Sequence, residues 1–163
     1  MILGIDPGLE NTGWGVINYE LRISNYELID YGILKIISKD RLKDIYNGVE
    51  KIIKKYKIKE MAVESIFFAK NAKSALKVAE AIGVIKVCGM KNGVEVAEYT
   101  PLQVKMALTG YGRAEKEQVE QMVGACLKLD RIIKPSHVAD AVAVALTHGF
   151  TSSFPPQADE CSG

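Results

Sequence analysis

Four apolar residues in a row, Ile2-Leu3-Gly4-Ile5, run directly into Asp6-Pro7-Gly8. The run is too short for a helix and too apolar for a loop, and Pro and Gly stop regular pairing immediately after it. It reads as a buried strand that ends in an acid. A second segment of the same form, Glu60-Met61-Ala62-Val63-Glu64, lies in mid-chain. Buried strands must be covered by other layers, so everything between and after these two has to supply that cover.

The rest of the chain supplies it. The β-formers Trp14, Val16, Ile17 and Tyr19 mark a strand from Thr12 to Tyr19, and another strand-like stretch runs from Tyr26 to Ile37. Three consecutive strands imply an antiparallel meander. Ser38 is placed to cap a helix in which Leu42, Ile45, Val49, Ile52, Ile53 and Tyr56 recur at helical spacing and form one buried face. A fifth strand is expected at Val94 to Tyr99. Helices are expected at Pro101 to Leu108, at Glu115 to Leu129 with Val119, Met122, Val123 and Cys126 inward, and at Ser136 to Gly149. The expectation is an α/β fold with a five-stranded mixed sheet flanked by helices. At 163 residues the chain has room for one domain, residues 1–150, followed by a disordered tail of residues 151–163 rich in Pro and small polar residues.

The segment from Ser74 to Met90 stands apart. Its only charged positions are Lys77, Glu80 and Lys86, so apolar groups cover more than the ~100° stripe that a surface helix needs. Such a helix requires cover on two sides. One side is the sheet, and the other is expected to be a second copy of the chain in a homodimer.

No apolar run approaches the ~18 residues of a membrane span, and Asp6 interrupts the start before a signal-like core can form. The odd count of three cysteines, Cys88, Cys126 and Cys161, without metal-ligand spacing fits a reducing cytoplasm. Net charge is only +1, yet it is unevenly spread: ten lysines and three glutamates between Lys51 and Lys91 give that stretch +7 against −6 elsewhere. For Lys51 to Lys59 a solvated helix face explains the run as well as a polyanion partner does.

The chemistry begins with Asp6 and Glu64 at strand ends and Asp140 on a helix. Hard divalent cations such as Mg²⁺ take oxygen ligands of this kind, although any one of these acids also suits a turn or a cap. In Pro135-Ser136-His137-Val138-Ala139-Asp140-Ala141, His137 and Asp140 are three apart and share a helix face, which serves metal ligation and helix capping equally well on spacing alone.

Taken together, Gly4-Ile5-Asp6-Pro7-Gly8 with Thr12-Gly13-Trp14-Gly15, Val63-Glu64 before Phe67-Phe68-Ala69-Lys70-Asn71-Ala72, Gly112-Arg113-Ala114-Glu115-Lys116-Glu117-Gln118-Val119, and Ala139-Asp140-Ala141 before Thr147-His148 resemble the RuvC family of bacterial Holliday junction resolvases. The matching blocks occur in the family's order from Ile2 to about His148. The resemblance implies an RNase H-like fold, a homodimer, and metal-dependent cutting of four-way DNA junctions in recombination and repair. It assigns the metal site, expected to hold two Mg²⁺ ions with Mn²⁺ able to substitute, to Asp6, Glu64 and Asp140, with His137 at a fourth position that is Asp in many members. Lys105 and Lys116 match lysines that serve the DNA backbone or catalysis, and Phe67 matches an aromatic that meets bases at the junction. Lys70 and Lys73 flank that aromatic loop, an arrangement suited to unpaired bases and their phosphates. The resemblance also implies the branch-migration proteins RuvA and RuvB as partners. Two rivals are an actin-like ATPase fragment, suggested by Asp6-x-Gly8 with Gly13, and a junction-binding protein without nuclease activity.

Overall fold

The computed structural model describes residues 1–8, 10–20, 25–36, 39–65 and 72–153. Its elements are β1 (Ile2–Asp6), β2 (Asn11–Glu20), β3 (Asn25–Lys35), α1 (Arg41–Tyr56), β4 (Glu60–Glu64), α2 (Ala72–Lys91), β5 (Glu95–Tyr99), α3 (Pro101–Thr109), α4 (Lys116–Leu127) and α5 (Ser136–Ser153). The five strands form one sheet in the order β3-β2-β1-β4-β5. β1, β2 and β3 pair antiparallel, as the meander predicts, whereas β4 pairs parallel with β1 and β5 parallel with β4. Parallel pairing of β1 with β4 brings both acidic strand ends to the same edge of the sheet.

Period-two alternation divides the core between the two faces. Leu3, Ile5, Val16, Met61 and Val63 face α1 and α2 and pack on Ile45, Val49, Ile52, Ile82 and Ile85. Ile2, Ile17, Ala62 and Tyr99 face the other way, toward α3, α4 and α5. The result is a three-layer arrangement in which both faces of the central strands are buried, consistent with their nearly unbroken apolar sequence.

α5 lies along β1 and β2 at very short range. Gly4 and Gly15 are cross-strand partners, as are Asp6 and Gly13. A Cβ on Gly4 would come within 2.0 Å of the Ala141 carbonyl oxygen, and one on Gly13 within 2.1 Å of the His137 carbonyl oxygen. Only glycine fits at these points, and its absence of a side chain lets the first turn of α5 settle against the end of β1.

Local signals set the element ends. Thr100 accepts from the Gln103 N–H at 3.2 Å while Gln103 accepts from the Thr100 N–H at 2.8 Å, and Pro101 opens α3. Gly110 ends α3 in the left-handed conformation. Some expectations need correction. α5 continues through Ser153, four residues beyond Gly149, because Val138 to Leu146 are covered and the Thr147 and Thr151 hydroxyls donate back to the carbonyls one turn earlier. Residues 151–153 therefore belong to a helix and not to a tail, and residues 154–163 lie outside the described residues. Leu42 and Met122 are exposed, since the buried arcs are those of Ile45, Val49, Ile52 and Ile53 on α1 and of Val119, Glu120, Val123 and Leu127 on α4. Ser38, the expected cap of α1, lies outside the described residues; Asp40 occupies the position before its first turn.

Candidate active site

Four elements meet at the carboxyl end of β1 and β4. Asp6 ends β1, Glu64 ends β4, His137 and Asp140 come from the first turns of α5, and Lys116 is the first residue of α4. His137 Nδ1 lies 2.7 Å from Asp6 Oδ2. A carboxylate only accepts, so the imidazole N–H donates. Lys116 Nζ donates to Asp140 Oδ2 at 2.7 Å. One ligating atom each from Asp6, His137 and Asp140 lies within 4.8 Å of the others, close enough for a single ion to touch all three. The Asp6 side chain is only 14% exposed, whereas that of His137 is half open to solvent.

Glu64 completes the group. It shares a hydrogen bond with Asp6, and its carboxyl pKa is pushed up to about 8, by burial first, then by the charge of Asp6 and more weakly by Asp140, with Lys116 pulling the other way. Burial and the neighbouring Asp6 charge thus favour the protonated form of Glu64 when no cation is bound. Burial disfavours the charged form of Lys116, but its hydrogen bond to Asp140 and the charges of Asp140, Glu120 and Asp6 outweigh this and raise its pKa. A lysine in the first turn of a helix opposes the helix dipole. Its partner Asp140 is what holds it there.

The donor set fits a hard divalent cation: two aspartates, a glutamate and a nitrogen ligand, with three of them already converged. Beside it opens a cleft of about 270 Å³ lined by Glu64, Asp140, Lys105, Lys116, Pro101 and Val104, so Lys105 shares the site with Lys116. Two cations next to an acidic centre suit a phosphodiester that is bound by its charge and polarised for attack. Phe67 and Lys70 lie outside the described residues, as does the Lys73 side chain.

Lys54 and Lys55 resolve one ambiguity of the basic stretch. They pair with Glu50 at 2.9 Å and with Asp30 at 3.4 Å near the end of α1 that leads into β4, at the opposite edge of the sheet from Asp6. They form the solvated face. Two contributors went unread in the sequence. Glu120 is buried on α4, pairs with Lys134 at 3.7 Å and acts on Lys116, although its position in a mid-helix polar run gave no signal. Glycines Gly4 and Gly13 were visible as motif residues, but their role as the seat of α5 appears only once the helix is placed.

The family model described as crossover junction endodeoxyribonuclease RuvC matches residues 2–148. A crossover junction endodeoxyribonuclease RuvC from Desulforamulus reducens is 50% identical over 158 residues, covering 94% of this chain and 95% of that protein. The structure of Thermus thermophilus RuvC superimposes with a TM-score of 0.85 at 37% identity, covering 93% of this chain and 94% of the other. The T. thermophilus RuvC in complex with a Holliday junction substrate matches with a TM-score of 0.83 at 35% identity and the same coverage.

Proposed function

The chain belongs to the RuvC family of crossover junction endodeoxyribonucleases, and from that premise we propose that Asp6, Glu64, His137 and Asp140 hold its metal while Lys116 and Lys105 hold the DNA phosphates. It is a Holliday junction resolvase with an RNase H-like fold, acting on four-way DNA in recombination and repair. The observation that carries the site assignment is the convergence of Asp6, His137 and Asp140 within 4.8 Å, from chain positions more than 130 residues apart in the case of Asp6 and His137.

The chemistry supplied by divalent ions bound at such a site, Mg²⁺ in our reading with Mn²⁺ as substitute and two ions per site, is an activated water and neutralisation of the leaving 3′ oxygen. The remaining work falls to the chain. Asp6, more enclosed than His137, fixes the position of the centre, and Asp140 orients Lys116 across the cleft. Lys116 then neutralises charge on the scissile phosphate as it develops, and Lys105 holds the flanking backbone. Cutting leaves a 5′-phosphate and a 3′-hydroxyl. Phe67, with Lys70 and Lys73 beside it, is assigned to the bases and phosphates at the branch point.

Two symmetric cuts require two sites, and α2 offers the means of pairing them. Leu76 is 67% exposed and Met90 61%, and with Ala79, Gly83 and Val87 they form an open apolar stripe along the side of α2 turned away from the core. We assign this stripe to a second copy of the chain. RuvA and RuvB are assigned as partners by family membership alone. No helix among the described residues is long and apolar enough to cross a membrane, and the cysteine usage fits the cytoplasm. No observation favours the ATPase fragment or the inactive binding protein.

The test is nicking of a synthetic four-way junction with and without Mg²⁺. Asp6→Asn, Glu64→Gln and Asp140→Asn are each expected to cut at least ~10³-fold more slowly, about 4 kcal/mol on the barrier, while binding the junction within a few-fold of the unmodified protein. Normal cutting by any of the three removes that residue from the site.

A further inference from the structure

We infer that Tyr99, His148 and Glu60 form a brace that sets the distance between Glu64 and Asp140, which makes them positioning residues for the metal centre. The inference rests on the assignment of Glu64 and Asp140 as metal-holding residues.

His148 is almost fully buried on α5 between two partners from the sheet. Its Nε2 lies 3.0 Å from Glu60 Oε2, and its Nδ1 lies 2.9 Å from the Tyr99 hydroxyl. Glu60 only accepts, so Nε2 carries the proton, and Nδ1 is left to accept from the phenol. Both ring nitrogens are thereby satisfied by the neutral imidazole. The rings of Tyr99 and His148 also meet edge to face, with centroids 5.8 Å apart.

The lengths of the two elements show what this does. β4 leaves Glu60 and reaches Glu64 four residues later, a span of about 13 Å. α5 runs the opposite way, and Asp140 stands eight residues before His148, a span of about 12 Å. The contact between Glu60 and His148 is therefore one rung of a ladder, and the approach of Glu64 to Asp140 is the other. A ladder with one fixed rung still shears. Tyr99 prevents that: it pairs with Glu64 across β4 and β5, its carbonyl accepts from the Ser65 N–H at 2.8 Å, and its hydroxyl reaches diagonally to His148. A slide of α5 along β4 would break this diagonal first. The metal centre itself makes no use of these three residues, yet the burial of Tyr99 and His148 and the hydrogen bonds that join them to each other and to Glu60 are costly to arrange without a role in fixing geometry.

The test measures Mn²⁺ alone, without DNA, by the loss of the free-ion electron paramagnetic resonance signal, beside nicking against Mg²⁺ concentration, junction affinity and melting temperature. Tyr99→Phe, which deletes only the hydroxyl, is expected to weaken Mn²⁺ binding roughly tenfold and to raise the Mg²⁺ concentration for half-maximal nicking to a similar degree, with junction affinity unmoved. Glu60 is partly open to solvent, so Glu60→Ala folds without difficulty and should follow Tyr99→Phe, whereas Glu60→Gln keeps an acceptor and should bind Mn²⁺ within about twofold of the unmodified protein. Ile52→Val, in the opposite layer, serves as a control for lost stability. The inference is overturned if Tyr99→Phe and Glu60→Ala bind Mn²⁺ normally, or if Ile52→Val weakens binding as much for the same loss of melting temperature. Should the unmodified protein neither bind Mn²⁺ nor cut, the metal-site assignment falls with it, a result distinct from unmodified protein and variants that bind and cut alike.

Discussion

α2 and α5 are the two longest helices among the described residues, both rich in apolar side chains, and they are used in opposite ways. α5 is enclosed almost throughout: Val138, Ala139 and every residue from Ala141 to Leu146 are buried. Its small side chains and the glycines opposite bring it close enough for His137 and Asp140 to meet Asp6. α2 buries Ala81, Ile82, Ile85 and Cys88 and leaves a comparable apolar stripe uncovered. Hydrophobicity alone does not distinguish them. Side-chain size and the surface opposite do: a helix of Ala and Val against glycine is held at short range, while Leu76, Val87 and Met90 point away from the core and stay exposed.

The strongest challenge to the close seating of α5 is Gly13→Ala. The added methyl meets a backbone oxygen that cannot rotate away, so the first turn of α5 must lift. A loss of about 3 kcal/mol in stability is expected, with cutting reduced at least as much as by loss of a metal-holding acid. Thermal unfolding and junction nicking together check it, and unchanged values would mean that α5 is seated more loosely than described.

The corresponding challenge to α2 is Val87→Glu. Because Val87 is already exposed in one copy, the charge should leave the fold intact and disrupt only association. Sedimentation velocity at micromolar concentration should show a dimer for the unmodified protein and a monomer for the variant, and paired cuts should give way to single nicks. A monomer in both cases would make the stripe an ordinary surface.

A smaller effect separates the enclosed site from the open stripe by pH. The Glu64 pKa is raised in the folded chain, from an ordinary 4.5 to about 8. Below about pH 4.5 both folded and unfolded forms are protonated and this residue gives no slope. Between there and pH 8 the unfolded chain ionises while the folded chain keeps its proton, so stability falls as pH rises and levels off above pH 8. In metal-free solution Glu64→Gln should remove this fall and be more stable than the unmodified protein at pH 8.5, by about 1–3 kcal/mol. Melting in EDTA at pH 5.5, 7 and 8.5 gives the answer; parallel curves for the two proteins would contradict the raised pKa of Glu64. Added Mg²⁺ should stabilise the unmodified protein more than the variant.

The mildest expected change concerns the open side of the site. His137→Asp replaces a nitrogen ligand with a carboxylate and should lower the ratio of Mn²⁺-supported to Mg²⁺-supported nicking by roughly fivefold while keeping activity. His137→Ala should cut far more slowly than either. Equal metal ratios in the unmodified protein and the Asp variant would return His137 to the role of a helix-start residue.

Much of this was legible in the sequence because it depends on short-range pattern. Asp6 and Glu64 stand out at the ends of apolar runs and His137 and Asp140 share a helix face by their spacing, but these patterns suit turns and caps as well as a metal, and it is the family resemblance that joins the four residues. The surplus of apolar residues on α2 likewise stands out without coordinates. What stayed hidden depends on approach between distant segments. Nothing in Tyr99, His148 or Glu60 singly marks a brace, and the raised pKa of Glu64 follows from its burial first and then from its contact with Asp6. Met122 is expected inward on hydrophobicity alone, but it is exposed, while Glu120 on the same helix is buried beside Lys134 and acts on the charge of Lys116.

The depth at which α5 sits against β1 has a consequence for the birth of the protein. His137 follows Asp6 by 131 residues, so at about 5–20 residues per second a translating ribosome adds the last of the groups assigned to the metal roughly 7–27 s after the first. All five strands can pair before then, with Asp6 and Glu64 already side by side, yet the groove meant for α5 stays empty and the acids stay apart from Asp140 and Lys116. On the site assignment proposed above, the segment that completes the core is also the segment that completes the metal site, so a nascent chain should not cut DNA before α5 has docked.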